Sequence, residues 1–200
     1  MITPLVFATN NSHKLFEINQ ALKNRIRVVG LKDIGCDEDI PETAETLEDN
    51  AIQKAKYASE KYHCNCFADD TGLEIDGLQG RPGVYSARYA GGEKSFENNM
   101  NKVLHEMQGM ENREARFRCV IALMMGGELN LFEGVVNGSI TAEKHGLQGF
   151  GYDPIFVPKG YDRTFAEMDI EEKNRISHRR LAVEKLIAFL SEKKSDFLPY

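Results

Sequence analysis

Ala115-Arg116-Phe117-Arg118-Cys119-Val120-Ile121-Ala122-Leu123-Met124-Met125 is followed by Gly126-Gly127, and then by Glu128-Leu129-Asn130-Leu131-Phe132-Glu133-Gly134-Val135-Val136. Phe117, Cys119, Ile121 and Leu123 alternate with their neighbours, which is the period-two pattern of a strand. A second run, Leu129 to Val136, begins just beyond the two glycines, so the pair reads as an antiparallel hairpin. A hairpin argues against an all-parallel sheet. It predicts an α/β fold built on a mixed central sheet with flanking helices.

The N-terminal part supplies the parallel half of that picture. Leu5 to Ala8 reads as a strand, Thr9-Asn10-Asn11-Ser12 as a polar turn, and Leu15, Ile18 and Leu22 recur at helical spacing. Residues 33 to 49 carry a run of carboxylates with no Lys or Arg among them, which would repel one another in a compact state and predicts a solvated loop. Thr46 then caps a helix whose Leu47, Ala51, Ala55 and Ala58 share one face up to about Lys61. A strand is predicted from Cys64 to Asp69. Gly77 to Gly92, rich in glycine, reads as a long shaped loop of the kind that carries function. A helix follows from about Ser95 to Met107, and a last one begins near Ser177 with Leu181, Leu186 and Leu190 on one face. Ser191 to Tyr200 reads as a partly ordered tail. Nothing forces a domain boundary, so residues 1–200 are expected to form a single domain.

Composition narrows the function classes. The chain has 200 residues, 42% hydrophobic and 28% charged, enough to bury a sizeable core. A net charge of −6 argues against a nucleic-acid polymer as partner, since such binding usually needs a broad basic surface. Pro4-Leu5-Val6-Phe7-Ala8 is too short for a signal or a membrane span, and no later apolar stretch is long enough either, so no membrane partner and a cytoplasmic location are expected. Cys36, Cys64, Cys66 and Cys119 show no CxxC pairing, which predicts reduced thiols rather than a zinc site.

Four segments carry candidate chemistry. Phe67-Ala68-Asp69-Asp70-Thr71-Gly72-Leu73-Glu74 sets two adjacent carboxylates at a predicted strand end, either as a seat for a divalent cation or as a solvated turn. Thr9, Asn10, Asn11, Ser12, His13 and Lys14 end a strand and open a helix, which outlines either a phosphate cradle or an ordinary N-cap. Lys54 lies on the alanine-rich helix, either reaching a polyphosphate or sitting on the surface. Gly149-Phe150-Gly151-Tyr152-Asp153-Pro154 offers flexible backbone and flat rings, for stacking a base or for packing on the core. Lys173, His178 and Arg179 form a donor set near a helix N-terminus, where cations oppose the dipole and make better sense facing an anion or a carbonyl-rich ligand.

In this order and spacing, Phe7 to Lys14, Ala68 to Leu73, Gly83-Val84-Tyr85-Ser86-Ala87-Arg88-Tyr89, Gly149 to Pro154 and Ser177-His178-Arg179 resemble the inosine triphosphate pyrophosphatase family across nearly the whole chain. Two positions depart from the family pattern. Asn10 stands where a T-G-N-x-x-K motif has glycine, and Asp49-Asn50-Ala51 stands for the usual E-N-A. The resemblance implies two lobes enclosing a nucleotide cleft, a homodimer, and Mg²⁺-dependent hydrolysis of a purine nucleoside triphosphate such as ITP, dITP or XTP to the monophosphate and pyrophosphate. It further implies Asp70 as proton acceptor and metal ligand, with Glu42 as the other carboxylate at the ion and Asp69 in support. Thr9 to Lys14, Lys54 and Thr71 would hold the triphosphate, with Arg88 a further candidate contact. Phe150, Gly151, Tyr152, Asp153, Lys173, His178 and Arg179 would hold the base. Two other readings compete: a Maf-like pyrophosphatase of other modified nucleotides, and a nucleotide sensor without turnover. The base-pocket motifs argue against the first, and the intact acidic centre argues against the second.

Overall fold

The computed structural model describes residues 4–22 and 26–197. Its strands are β1 (Leu5–Phe7), β2 (Val28–Gly30), β3 (Cys66–Ile75), β4 (Glu114–Met125), β5 (Glu128–Ile140) and β6 (Phe156–Pro158). Its helices are α1 (Ser12–Leu22), α2 (Leu47–Tyr62), α3 (Phe96–Glu106), α4 (Ile170–Ile176) and α5 (His178–Phe197). The strands form one sheet in the order β2-β1-β3-β4-β5-β6. β1 runs parallel to β2 and to β3, with Phe7 opposite Gly30 and Phe67, while β5 and β6 are antiparallel. The expected mixed α/β sheet is therefore what the chain forms.

The hairpin turn is built as its composition demands. Gly126 and Gly127 take φ of 59° and 85°, the pair of positive values that a two-residue type I′ turn requires and that side chains with a Cβ resist. α2 begins as predicted, with the Thr46 hydroxyl accepting the Asp49 N–H, and α3 with Ser95 accepting from Asn98.

Contacts divide the chain into two compact units, one comprising Met1–Asp70, Val120–Gly134 and Arg179–Tyr200, the other Thr71–Cys119 and Val135–His178. In the first, Phe7 and Phe67 stack with ring centroids 4.6 Å apart, and Ile18, Leu22, Val183 and Leu186 are buried with them. Ala51, Ala55 and Ala58 are fully buried, their small side chains permitting close approach of the α2 backbone. In the second, Phe117 packs on Phe156 and Phe165, with centroids 4.7 Å and 6.1 Å away, in a core shared with Leu73, Ile75, Val103 and Met107. Each such large apolar side chain contributes about 1.5–3 kcal/mol by leaving water.

Several elements differ from the sequence expectation. β3 does not stop at Asp69 but continues through Asp70, Thr71 and Gly72 to Ile75, because strand pairing overrides the local turn preference of Asp and Gly. β1 ends opposite Phe67, so Asp69 and Asp70 still lie beyond the end of the neighbouring parallel strand. β5 extends to Ile140, and β6, three residues long, was too short to read. The loop from Gly77 to Gly92 contains short 3-10 turns, chiefly Gly83–Arg88. The last helix begins where expected, at His178, but an additional short helix, α4, precedes it, and Ser177, extended with ψ of 148°, separates the two. α5 carries helix through the predicted tail to Phe197, while 198–200 lie outside the described residues. No described helix is long and apolar enough to cross a membrane.

Candidate active site

Asp69 and Asp70 are consecutive on β3, so their side chains leave opposite faces of the sheet. On one face Asp69 is buried and accepts Lys14 Nζ at 2.9 Å and Arg179 Nε at 3.3 Å. The same guanidinium pairs with Glu17, which α1 presents one turn beyond Lys14. Burial opposes the Asp69 charge, but the Lys14, Arg179 and Lys54 cations outweigh it and hold this carboxyl well below the usual carboxylate range. Asp69 is thus a fixed anion.

On the other face Asp70 accepts Asn50 Nδ2 at 3.1 Å, and Lys54 Nζ lies 3.6 Å from its Oδ1. Lys54 Nζ also bonds Glu42 Oε1 at 2.6 Å. Burial pushes the Asp70 carboxyl above its ordinary value, and the Glu42 and Asp69 charges reinforce it beyond what Lys54 and Lys14 offset. Lys54 is itself buried, yet the Asp70, Glu42 and Asp69 carboxylates outweigh that burial and raise its proton affinity. The surface alternative for Lys54 therefore fails: its ammonium is the shared counter-ion of two carboxylates.

Those two carboxylates suit Mg²⁺, which takes one or two carboxylates and fills its other positions with water and phosphate oxygens. Glu42 keeps 36% of its side chain exposed, so an ion has access to it. Among the described residues no three metal-ligating side chains cluster. The third carboxylate expected there, Asp69, has its Oδ1 on Lys14 and its Oδ2 on Arg179.

The loop between β1 and α1 is built by Asn11. Its Oδ1 accepts the His13 and Lys14 N–H groups at 3.0 Å and 3.2 Å, and its own N–H donates to Thr9 Oγ1. Asn10, the residue in the glycine position, donates to Asp39 Oδ1 and to the Glu38 carbonyl. Ser12 and His13 are exposed, whereas Lys14 reaches inward to Asp69. Thr71 follows Asp70 on β3 and is half-buried.

In the second unit the turn around Phe150 is organised by a buried carboxylate. Asp153 Oδ2 accepts the Phe150 N–H at 2.8 Å and Lys173 Nζ at 2.7 Å. Gly149 has φ of 76°, and a Cβ there would stand 2.1 Å from that same oxygen, so only glycine fits. Lys173 Nζ lies 5.0 Å from the Phe150 ring centroid, and Phe96 from α3 lies 5.9 Å from it. Gly151, with φ of 66°, and Tyr152 complete the turn. The Tyr152 hydroxyl donates to the Ser86 carbonyl at 2.8 Å in the core, where burial pushes its proton affinity up. For Tyr152, core packing is the role the contacts give. His178 is buried and stacks on Phe117, with centroids 4.7 Å apart. Arg179, expected with the base, has its guanidinium on Asp69 and Glu17. Arg88 lies over the Tyr85 ring, 5.4 Å from its centroid.

Glu17, Asn50 and Phe96 are contacts that sequence reasoning did not assign. Asn50 was within reach of it, because it precedes Lys54 by four residues and so shares that face of α2. Glu17 left only its place beside Ile18 on the buried side of α1.

A model of the Ham1 family matches residues 5–189. The chain is similar to a dITP/XTP pyrophosphatase of Flavobacterium johnsoniae, 53% identical over 190 residues that cover 95% of this chain and 99% of that one. It is similar also to a dITP/XTP pyrophosphatase of Bacillus subtilis, at 48% identity over 92% of this chain and 96% of the other. Among solved structures, the Ham1 protein of Staphylococcus aureus superposes with a TM-score of 0.88 at 41% identity, covering 96% of this chain and all of that one.

Proposed function

The chain belongs to the Ham1 family, and from that premise we propose that it hydrolyses ITP, dITP and XTP to the monophosphate and pyrophosphate with Mg²⁺. The observation that carries this reading is the divided carboxylate pair. Asp69 is locked to the Lys14 and Arg179 cations, whereas Asp70 faces Glu42 across the shared Lys54 ammonium.

In the reaction, Asp70 accepts the proton of the attacking water, a role that its place beside Asn50 and Lys54, on the face opposite the cation-locked Asp69, leaves to it. Asp70 and Glu42 would hold the Mg²⁺ ion, which would supply charge neutralisation at the phosphates and a lowered pKa for coordinated water. Lys54 and Lys14 add positive charge along the triphosphate, and the Thr9 to His13 loop and Thr71 supply further donors. Asp69, through Lys14 and Arg179, fixes where those cations stand. Phe150 stacks the base within the Gly151 to Asp153 turn, while Lys173 and His178 supply donors for its edge. Hypoxanthine and xanthine carry a 6-oxo acceptor, but adenine carries a 6-amino donor that would leave such groups unpaired, a mismatch able to discriminate by orders of magnitude. We further propose that residues 1–200 act as one cytoplasmic pyrophosphatase domain and assemble as a homodimer. The biological role is removal of deaminated purine nucleotides before a polymerase uses them.

A panel of purine and pyrimidine triphosphates, assayed for pyrophosphate release with and without Mg²⁺, tests the reading. ITP, dITP and XTP are expected to be turned over ahead of ATP and GTP, and only with the metal. ATP or GTP turned over as fast as ITP would overturn it, and so would preference for a modified pyrimidine or an absence of turnover.

A further inference from the structure

We propose that Asn50 is a positioning residue that sets the Asp70 carboxylate and the loop bearing Glu42 in register with each other. The inference rests on the functional reading above and concerns a side chain to which that reading gives no role. Asn50 is 1% exposed. Its Nδ2 donates to Asp70 Oδ2 at 3.1 Å, and its Oδ1 accepts the Ala44 N–H at 2.9 Å. A backbone N–H only donates and an ionised carboxylate only accepts, so the amide has one orientation that satisfies both. One planar group thereby ties β3 to the loop ahead of α2.

The neighbouring residues on the same helical face extend the tie. Gln53 Oε1 accepts the Thr43 N–H at 3.0 Å and its Nε2 donates to Thr43 Oγ1 at 3.0 Å, while Lys54 holds the Glu42 carboxylate. Three side chains at i, i+3 and i+4 on α2 therefore grip residues 44, 43 and 42 in turn. That loop lies in the acidic run, where self-repulsion would otherwise spread it. Of the three, only Asn50 bonds both the loop backbone and the carboxylate assigned to take the proton. Removing it leaves Asp70 without a neutral donor that fixes its rotamer and leaves Glu42 on a loosened loop.

Two substitutions separate these functions. Asn50→Asp keeps an acceptor for Ala44 but replaces the Asp70 donor with a like charge; Asn50→Leu removes both bonds. Both are expected to lower kcat for ITP by roughly 10–100-fold, the usual range for outer partners of a metal site. KM should stay within about threefold, because the loop and base contacts are elsewhere. Asn50→Leu should also weaken Mn²⁺ binding to the nucleotide-free protein by about tenfold, read by electron paramagnetic resonance. If Asn50→Leu does not fold, Asn50→Asp, close to Asn in volume, carries the test through kcat. An Asn50→Asp enzyme with kcat within about threefold of the parent overturns the inference, as does a loss carried by KM with Mn²⁺ affinity unchanged. A parent chain that does not turn over ITP overturns the functional reading and this inference with it. An active parent with an equally active Asn50→Asp variant overturns the inference alone.

Discussion

Adjacent aspartates on a strand face opposite environments, and here that alternation separates a structural charge from a reactive one. Asp69 meets Lys14 and Arg179 in a buried network, so its charge is compensated and required. Asp70 is held where burial opposes ionisation. The two Asp→Asn variants should consequently fail in different ways. Asp69→Asn leaves the buried Arg179 and the half-buried Lys14 short of a partner and should cost about 3–5 kcal/mol of stability, seen as a lower denaturation midpoint. Asp70→Asn removes a charge that the fold disfavours, so its midpoint should equal or exceed the parent's. Its kcat for ITP should fall by about 10²–10⁴-fold, the span of general-base catalysis. Appreciable turnover by Asp70→Asn would show that another group takes the proton.

At the scale of elements, α2 anchors the acidic loop at both ends. Near its start Asn50, Gln53 and Lys54 hold residues 42–44, and near its end Lys61 Nζ and the Tyr62 hydroxyl reach Glu38 Oε1 at 2.6 Å and 2.8 Å. Lys61, with Tyr62 and Tyr57, lowers the Glu38 pKa from 4.5 to about 2. A carboxylate depressed on folding contributes stability above its unfolded pKa and loses it as pH falls through its folded pKa. The stability difference between the parent and Glu38→Gln should therefore be complete above pH 4.5 and close as pH falls to about 2, measured by urea midpoints. A difference that does not vary with pH would mean that Glu38 acts by packing. The α2 face was legible because alanines at helical spacing and a Thr46 cap are local signals. What the loop grips was not, since Glu38 to Lys61 and Ala44 to Asn50 are bonds between loop and helix that no periodicity encodes. β3 was misread for the same reason: Asp-Asp-Thr-Gly resembles a turn locally, and only pairing with strands distant in sequence keeps it extended. α4 escaped because seven residues give too few repeats, although Asp169 accepting the Glu172 N–H shows the cap that its sequence offered.

For the whole molecule, the sheet class followed from the hairpin, and the expected family from motif order, whereas Glu42 entered the candidate site only by resemblance because one carboxylate in an acidic run looks like any other. The homodimer is also an expectation of resemblance, and charge makes it testable. A standard interface takes about 800 Å² from each partner, under a tenth of the 10979 Å² surface of this chain. Leu129, Leu131, Tyr85 and Phe16 are among the large apolar side chains left exposed. Two copies that each carry a net charge of −6 repel at long range, and salt screens that repulsion. Sedimentation equilibrium should therefore give twice the 22.6 kDa chain mass, with a dissociation constant that falls or holds as salt is raised. Dissociation on adding salt would instead assign the interface to ion pairs. A 22.6 kDa species throughout the micromolar range would remove the dimer and leave each chain to carry its site alone.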